Sequence, residues 1–364
     1  MIGAQIGGWK AAIRRVATIE AGGSAAVATW LPASTMEPAG VETKRRLDGR
    51  EVLADQIFRR TAFASGIITV GIMLAVGVFL TLRASDALRA TGLSFLSTQA
   101  WSPETGTFGV AAVLFGTVSI ALIALAVSLP LSLGTAMLLS EVVSGRVRGI
   151  LVSLVDLMAA VPSIVFGLWG VYFLQAAIIP ASHWMSVWLG WIPIFAVTDA
   201  AGQQASDASA FTSSAFIAGI VVGFMVVPTQ TSIMREAFTR APIGEREGAY
   251  ALGATRWGMI RSVVLPFGKG GIIGGTMLGL GRALGETIAV YMIISPIFTI
   301  NWQVLKTGTN SVSALIALRY GEASEFGLSA LMAAGLVLFL LTLVINFTAS
   351  SVVARSRSGA QSDG

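Results

Sequence analysis

Few side chains in this sequence could do chemistry, and two stand out by position. Arg282 and Glu286 lie four residues apart within a long apolar run, and a third charge, Asp156, interrupts another. A charge at the bilayer centre costs roughly 2.5–3.5 kcal/mol on insertion scales, so each must face protein or water rather than lipid. On one helix, residues four apart share a face within pairing reach. Arg282 and Glu286 then form either a structural ion pair that neutralises itself inside a bundle or the lining of a substrate path. In a path, the planar guanidinium would grip two oxygens of an oxyanion. The carboxylate would hold it in place and keep the anion from being trapped. Asp156 falls near the start of a span and reads as a partly solvated polar residue rather than a ligand.

Other chemistries have little to work with. There is no cysteine, hence no disulfide, thiolate nucleophile or thiolate metal site. The single histidine, His183, falls in a stretch read as an outer loop and is taken as solvated and without a role. One histidine speaks against a poly-His metal cage or a histidine-based triad, so no metal site is expected. No G-x-x-x-x-G-K-[ST] run is present, so ATP is not expected to bind this chain.

The elements that must position these residues are membrane helices. The 364 residues are 54% hydrophobic and only 12% charged, against about a quarter charged in soluble domains. Six stretches supply the roughly 20 apolar residues that a spanning helix needs: residues 62–82, 108–139, 150–179, 211–234, 271–298 and 328–353. The fold class expected is all-α, a polytopic membrane protein. The first apolar run begins after sixty residues, too late for a cleavable leader. Nineteen Lys and Arg lie in the two tails and in the loops after spans two and four, and only four in the other loops. By the positive-inside rule both termini are cytoplasmic. The net charge of +5 does not point to nucleic acid.

Residues 1–60 read as a cytoplasmic tail, disordered over its first forty residues, with a short basic amphipathic helix over 45–60. Residues 356–364 are a second polar tail. The stretch 180–210 has no Lys or Arg, and its Trp184, Trp188 and Trp191 suit an interfacial belt.

Span five concentrates glycine. Gly271, Gly275 and Gly279 recur every four residues, and Gly281 and Gly285 form another such pair. Small residues at this spacing let helix backbones approach closely where lipid supplies no hydrophobic drive. Pro130, Pro162 and Pro228 favour kinks.

The loop over 235–270 is the most specific feature. It reads Glu-Arg-Glu-Gly-Ala-Tyr-Ala-Leu-Gly-Ala-Thr-Arg-Trp from Glu245 to Trp257, with Leu265 and Pro266 further on. Pro242 suits a helix start, with Glu245 and Glu247 in the first turns. Gly253 should split the segment into two short helices. Gly248, Ala249, Ala251 and Ala254 leave a knobbly surface with Tyr250, Leu252 and Trp257 as larger side chains. The segment reads as an element that docks into a cytoplasmic partner, or else as a helix lying on the membrane.

This loop resembles the "EAA" loop of ATP-binding-cassette importer permeases, matching at Glu247, Ala249, Gly253, Ala254, Leu265 and Pro266. Gly248 stands where that family usually has its first alanine. Leu278 to Thr287, Ala159 to Gly170 and the Tyr-Gly-Glu of residues 320–322 resemble the phosphate-transport permeases. The continuation Thr-Ile-Ala-Val-Tyr-Met-Ile-Ile after Glu286 is more similar to their C-type (PstC) subunits than to the A-type.

The resemblance covers about residues 61–355 and implies a type I importer transmembrane domain in a bacterial plasma (inner) membrane. It implies as partners a PstA-like second permease, a PstB-like ATPase dimer on the coupling loops, and an extracytoplasmic PstS-like protein delivering inorganic phosphate. ATP and Mg would bind the ATPase, leaving this chain without a cofactor and not itself an enzyme. Three alternatives stand beside it. A permease for another oxyanion is the nearest. An ion-coupled secondary transporter would leave the docking loop without a purpose. A membrane-embedded enzyme would lack a nucleophile and base.

Overall fold

The computed structural model describes residues 53–199 and 202–357. By contacts the chain divides between Gly66 and Ile67. Within Met1–Gly66 the described part is the helical stretch 53–66; the readings for residues 1–52 and 358–364 lie outside the described residues. Thirteen α-helices follow one another among the described residues: α1 Leu53–Arg83, α2 Ser85–Thr91, α3 Ala111–Met137, α4 Gly145–Ala159, α5 Ser163–Trp169, α6 Gln175–Trp188, α7 Ala215–Thr239, α8 Ile243–Ala251, α9 Arg256–Met259, α10 Leu265–Gly285, α11 Ile288–Ile293, α12 Val312–Arg319 and α13 Glu325–Arg357. Wide π turns carry α3 on over Leu138–Val142, join α5 to α6 over Gly170–Leu174, and join α9 to α10 over Ile260–Val264. The last precedes Pro266, which has no N–H for the carbonyl four residues back, and an i→i+5 turn absorbs that defect.

Six helical stretches are long and apolar enough to cross a membrane: Asp55–Arg83, Ala111–Val142, Ser163–Trp188, Ala215–Thr239, Arg256–Gly285 and Glu325–Thr348. Two differ in kind from the sequence expectation. The expected third span, 150–179, breaks after Ala159. Pro162 has φ −60° and ψ 143°, outside the helical region, and a proline also biases the residue before it away from helix. The first half becomes the separate helix α4, and the span itself runs on to Trp188. It therefore includes His183, which is part-buried in α6 with its ring 5.5 Å from Phe211 rather than solvated in a loop.

The fifth span runs over 256–285, not 271–298. The apolar sequence continues past residue 285, but Glu286 has φ −66° and ψ 127° and stops the helix. The Glu286 carbonyl accepts from Ser313 Oγ at 2.6 Å, and the Gly285 carbonyl from Thr287 Oγ1 at 3.2 Å. Hydroxyls thus replace the next helical turn.

Helix α7 lies at the centre, with two-thirds of its most apolar window buried. Ile217, Val221 and Met225 of α7 pack with Ile120 and Ala124 of α3, Ala283 and Leu284 of α10, and Ala289 and Ile293 of α11. Ser214 caps α7 by accepting from the Ile217 N–H. A methyl group at Gly271 would run into Ala237 Cβ, and one at Gly279 into the Gln230 amide. At Gly275 it would press on the Gln230 carbonyl at 3.3 Å. This glycine row therefore seats α10 on α7 of the same chain. Gly281 and Gly285 do not share in that contact. Gly281 meets only Asn346 Oδ1 at 3.7 Å, and Gly285 meets nothing within 4 Å.

A second core joins Phe95 and Phe108 to Leu331 and Ala334 of α13, where the Phe95 and Phe108 rings meet edge to face with centroids 5.9 Å apart.

Candidate translocation path and coupling surface

Arg282 sits in the last turn of α10. Because the helix stops at Gly285, Glu286 leaves the face that a continuous helix would have given it. Its Oε1 instead accepts from the Ala289 N–H at 3.2 Å, at the start of α11. The expected Arg282–Glu286 pair is not formed. Among the described residues Arg282 has no carboxylate partner; its one polar contact is from Nη1 to Thr229 Oγ1 of α7 at 3.5 Å. One turn further along α7, Ser232 Oγ donates to Asp156 Oδ1 of α4 at 3.4 Å.

Thr229 and Ser232 are three apart and so share a helix face. Their hydroxyls thereby align a cation from α10 and a carboxylate from α4 along one side of α7. Arg282 and Asp156 are both exposed in the single chain, while Thr229 and Ser232 are part-buried. The guanidinium and the two hydroxyls can each donate a hydrogen bond to an oxyanion, while the Asp156 carboxylate accepts from Ser232 and repels an anion at that end of the row. Asp156 balances Arg282 in formal charge, so the attraction for an anion is local to the Arg282 end, where no carboxylate lies against the guanidinium among the described residues.

Sequence reasoning missed Thr229 and Ser232 and set Asp156 aside. The available signal was the polar run Thr-Gln-Thr-Ser over residues 229–232 inside an apolar span, whose first and last members share a helix face. Among the described residues no three His, Cys, Asp or Glu side chains converge as a metal site requires.

The coupling segment folds as two short helices. Gly253 turns the chain at φ +83°, in the left-handed region that glycine occupies without strain. Thr255 Oγ1 then caps α9 by accepting from the Gly258 N–H at 3.1 Å. The large side chains point outward: Leu252 is 91% exposed, Ile243 72%, Trp257 59% and Tyr250 46%. Glu245, Glu247, Gly248 and Pro266 are exposed as well, and no carboxylate–cation pair involves either glutamate among the described residues. Ala249 points the other way, into the small core built by Phe238, Met259 and Ile260. Ala254 is part-buried, with its N–H on the Ala249 carbonyl at 3.0 Å. One side of the segment is thus anchored and the other exposes apolar and acidic groups. Outside a membrane, such an apolar cluster marks an interaction surface.

The family model of binding-protein-dependent transport system inner membrane components matches residues 128–358. The phosphate transport system permease protein PstC of Mycobacterium leprae is 37% identical over 315 residues, spanning 85% of this chain and 95% of that protein. The PstC protein of Xylella fastidiosa strain Temecula1 is 33% identical over 313 residues, 86% and 94% of the two chains. Among solved structures, a bacterial ABC transporter involved in the import of the acidic polysaccharide alginate overlaps 82% of this chain and 98% of its own at 16% identity and a TM-score of 0.48. The chain therefore belongs to the binding-protein-dependent transport system inner membrane components, within the PstC permeases.

Proposed function

We propose that this multi-pass membrane protein is one of two permease subunits of an ATP-driven inorganic phosphate importer, and that Arg282 is the cation that receives the anion inside the pore. The observation that carries this reading is an arginine in the last turn of a spanning helix without a carboxylate to neutralise it. The PstC names of its relatives supply the substrate class. A lone charge in a span is expensive and is kept where a ligand or path needs it. The hydroxyls of Thr229 and Ser232 continue the path toward Asp156.

A PstA-like permease supplies the other half of the pore, and a PstS-like protein delivers phosphate from outside. A PstB-like ATPase dimer binds ATP and Mg and engages the exposed side of residues 243–257; this chain needs no cofactor of its own. Closure of the ATPase dimer moves α8 and α9 and reopens the pore outward. The excess of Lys and Arg in the tails and in the 235–270 loop supports a topology with both termini and that loop in the cytoplasm.

The test is uptake of radiolabelled phosphate in a strain deleted for this gene, with and without the chain restored. Restored uptake that needs ATP supports the reading. Restored sulfate or molybdate uptake with unchanged phosphate uptake would replace it with another oxyanion.

A further inference from the structure

Besides the packing of Ala249, Met259 and Ile260 against Phe238, one guanidinium ties the coupling segment to the bundle. Arg246, near the start of α8, donates from Nη1 to Glu141 Oε2 at 3.0 Å and from Nη2 to the Phe238 carbonyl at 2.6 Å. Glu141 lies in the π turn that ends the second span, with its side chain only 3% exposed; that of Arg246 is 20% exposed. Phe238 belongs to the last turn of α7 and is fully buried. One side chain of α8 thus grips the ends of two spanning helices at once. Apart from Ala249 in the core beneath, the remaining α8 side chains are exposed.

We propose that Arg246 and Glu141 form the joint through which movement of α8 enters spans two and four, and so reaches the row of polar groups along α7. Three features carry this. First, the joint is stiff: the planar fork fixes both of its acceptors in direction as well as distance. Second, it cannot slip to another mate. Glu141 Oε1 and Arg246 Nε are buried with no partner among the described residues, so separating the two leaves buried charge unpaired. Third, it pulls on the right element. Phe238 follows Ser232 by six residues and Thr229 by nine, within one continuous helix, and a rigid helix carries displacement along its axis. The inference rests on the reading of α8 as the element that the ATPase engages, and it assigns two positioning residues that touch neither substrate nor ATP.

The experiment uses the whole complex, with its second permease, ATPase and binding protein, reconstituted in liposomes. For Glu141→Gln we expect ATP hydrolysis to persist but to lose its stimulation by loaded binding protein. Phosphate moved per ATP should fall by about tenfold or more, within the 5- to 150-fold span of ordinary site-to-site coupling. Arg246→Lys, with one point charge for two acceptors, should fall between wild type and Glu141→Gln.

The chain's lack of cysteine permits a second arm. Glu141→Cys with Arg246→Cys should be uncoupled as made, regain coupled uptake when bridged by a short reducible cross-linker, and lose it again on reduction. A purely structural pair would lower uptake and hydrolysis together through loss of assembled complex. That result, unchanged coupling in Glu141→Gln, or a bridge that restores nothing would each overturn the proposal. Absence of phosphate uptake in the wild-type complex would instead strike the substrate reading, and the joint would then be judged on variant-to-wild-type ratios of hydrolysis stimulated by the loaded binding protein.

Discussion

Arg282 and Glu286 show how far a spacing argument carries and where it fails. Four residues apart in an apolar run implies one helical face, and that holds only while the helix continues. Here it does not. Ser313 and Thr287 take the carbonyls of Glu286 and Gly285, and the carboxylate turns to the Ala289 N–H. The expected pair is therefore absent, which leaves Arg282 the stronger candidate for an anion because no carboxylate among the described residues neutralises it. Arg282→Gln is expected to lower phosphate uptake by about 10- to 100-fold, the worth of a hydrogen bond to a charged group. Co-purification with the ATPase should be retained. Arg282→Lys should keep part of the activity, because the charge survives and the two-pronged grip does not. Initial rates of uptake measured beside yields of assembled complex decide this. Wild-type rates in Arg282→Gln would reduce the residue to packing. Asp156→Asn probes the other end of the row and is expected to change the rate without affecting assembly, since the residue is exposed and its one hydrogen bond among the described residues is 3.4 Å long.

At the scale of elements, the two-helix form of the coupling segment was legible in the sequence because glycine in mid-helix is a local signal. The break before Pro162 was legible only as a kink, and the end of span five was not legible. Hydrophobic runs report where a chain is buried, whereas the end of span five is held in part by the Ser313 hydroxyl, 27 positions from Glu286. The Arg246–Glu141 pair was invisible for the same reason, its members being 105 positions apart. Gly253 supports the sharpest prediction at this scale. At φ +83° any L side chain is strained, by roughly 1–2 kcal/mol. The site is open, since no atom lies within 4 Å of an added Cβ. Gly253→Val should therefore leave the spans folded while changing the angle between α8 and α9. Glu247→Lys reverses a charge that makes no ion pair among the described residues, and Leu252→Asp places a charge where the side chain is 91% exposed. All three are expected to weaken stimulation of ATP hydrolysis by the loaded binding protein, with the thermal stability of the isolated chain nearly unchanged. Normal stimulation in all three would remove this surface from the ATPase contact.

For the whole molecule, the two sets of glycines on α10 separate what the chain does for itself from what it leaves to a neighbour. The Gly271, Gly275 and Gly279 row is filled from within by α7, so a larger side chain there must displace Gln230 or Ala237. Overpacking of this kind costs about 1–3 kcal/mol. Gly279→Leu should therefore lower the folded yield of the chain on its own. Gly281 and Gly285 face almost nothing among the described residues. There an added Cβ meets no clash, and exchange of glycine for leucine within a helix favours the helical state by somewhat less than about 1 kcal/mol. Gly281→Leu is thus expected to leave the isolated permease as stable as wild type, or slightly more so. If the smooth face is where the second permease approaches, the variant should pair with it poorly and transport slowly. Melting of the detergent-solubilised chain and pull-down of the second permease separate the cases. A loss of pairing without a loss of melting temperature places the pore's other half against this face of α10. Full pairing with full transport would assign the face to lipid, and the partner would then have to meet the chain elsewhere, with the exposed side of α4 the next surface to test.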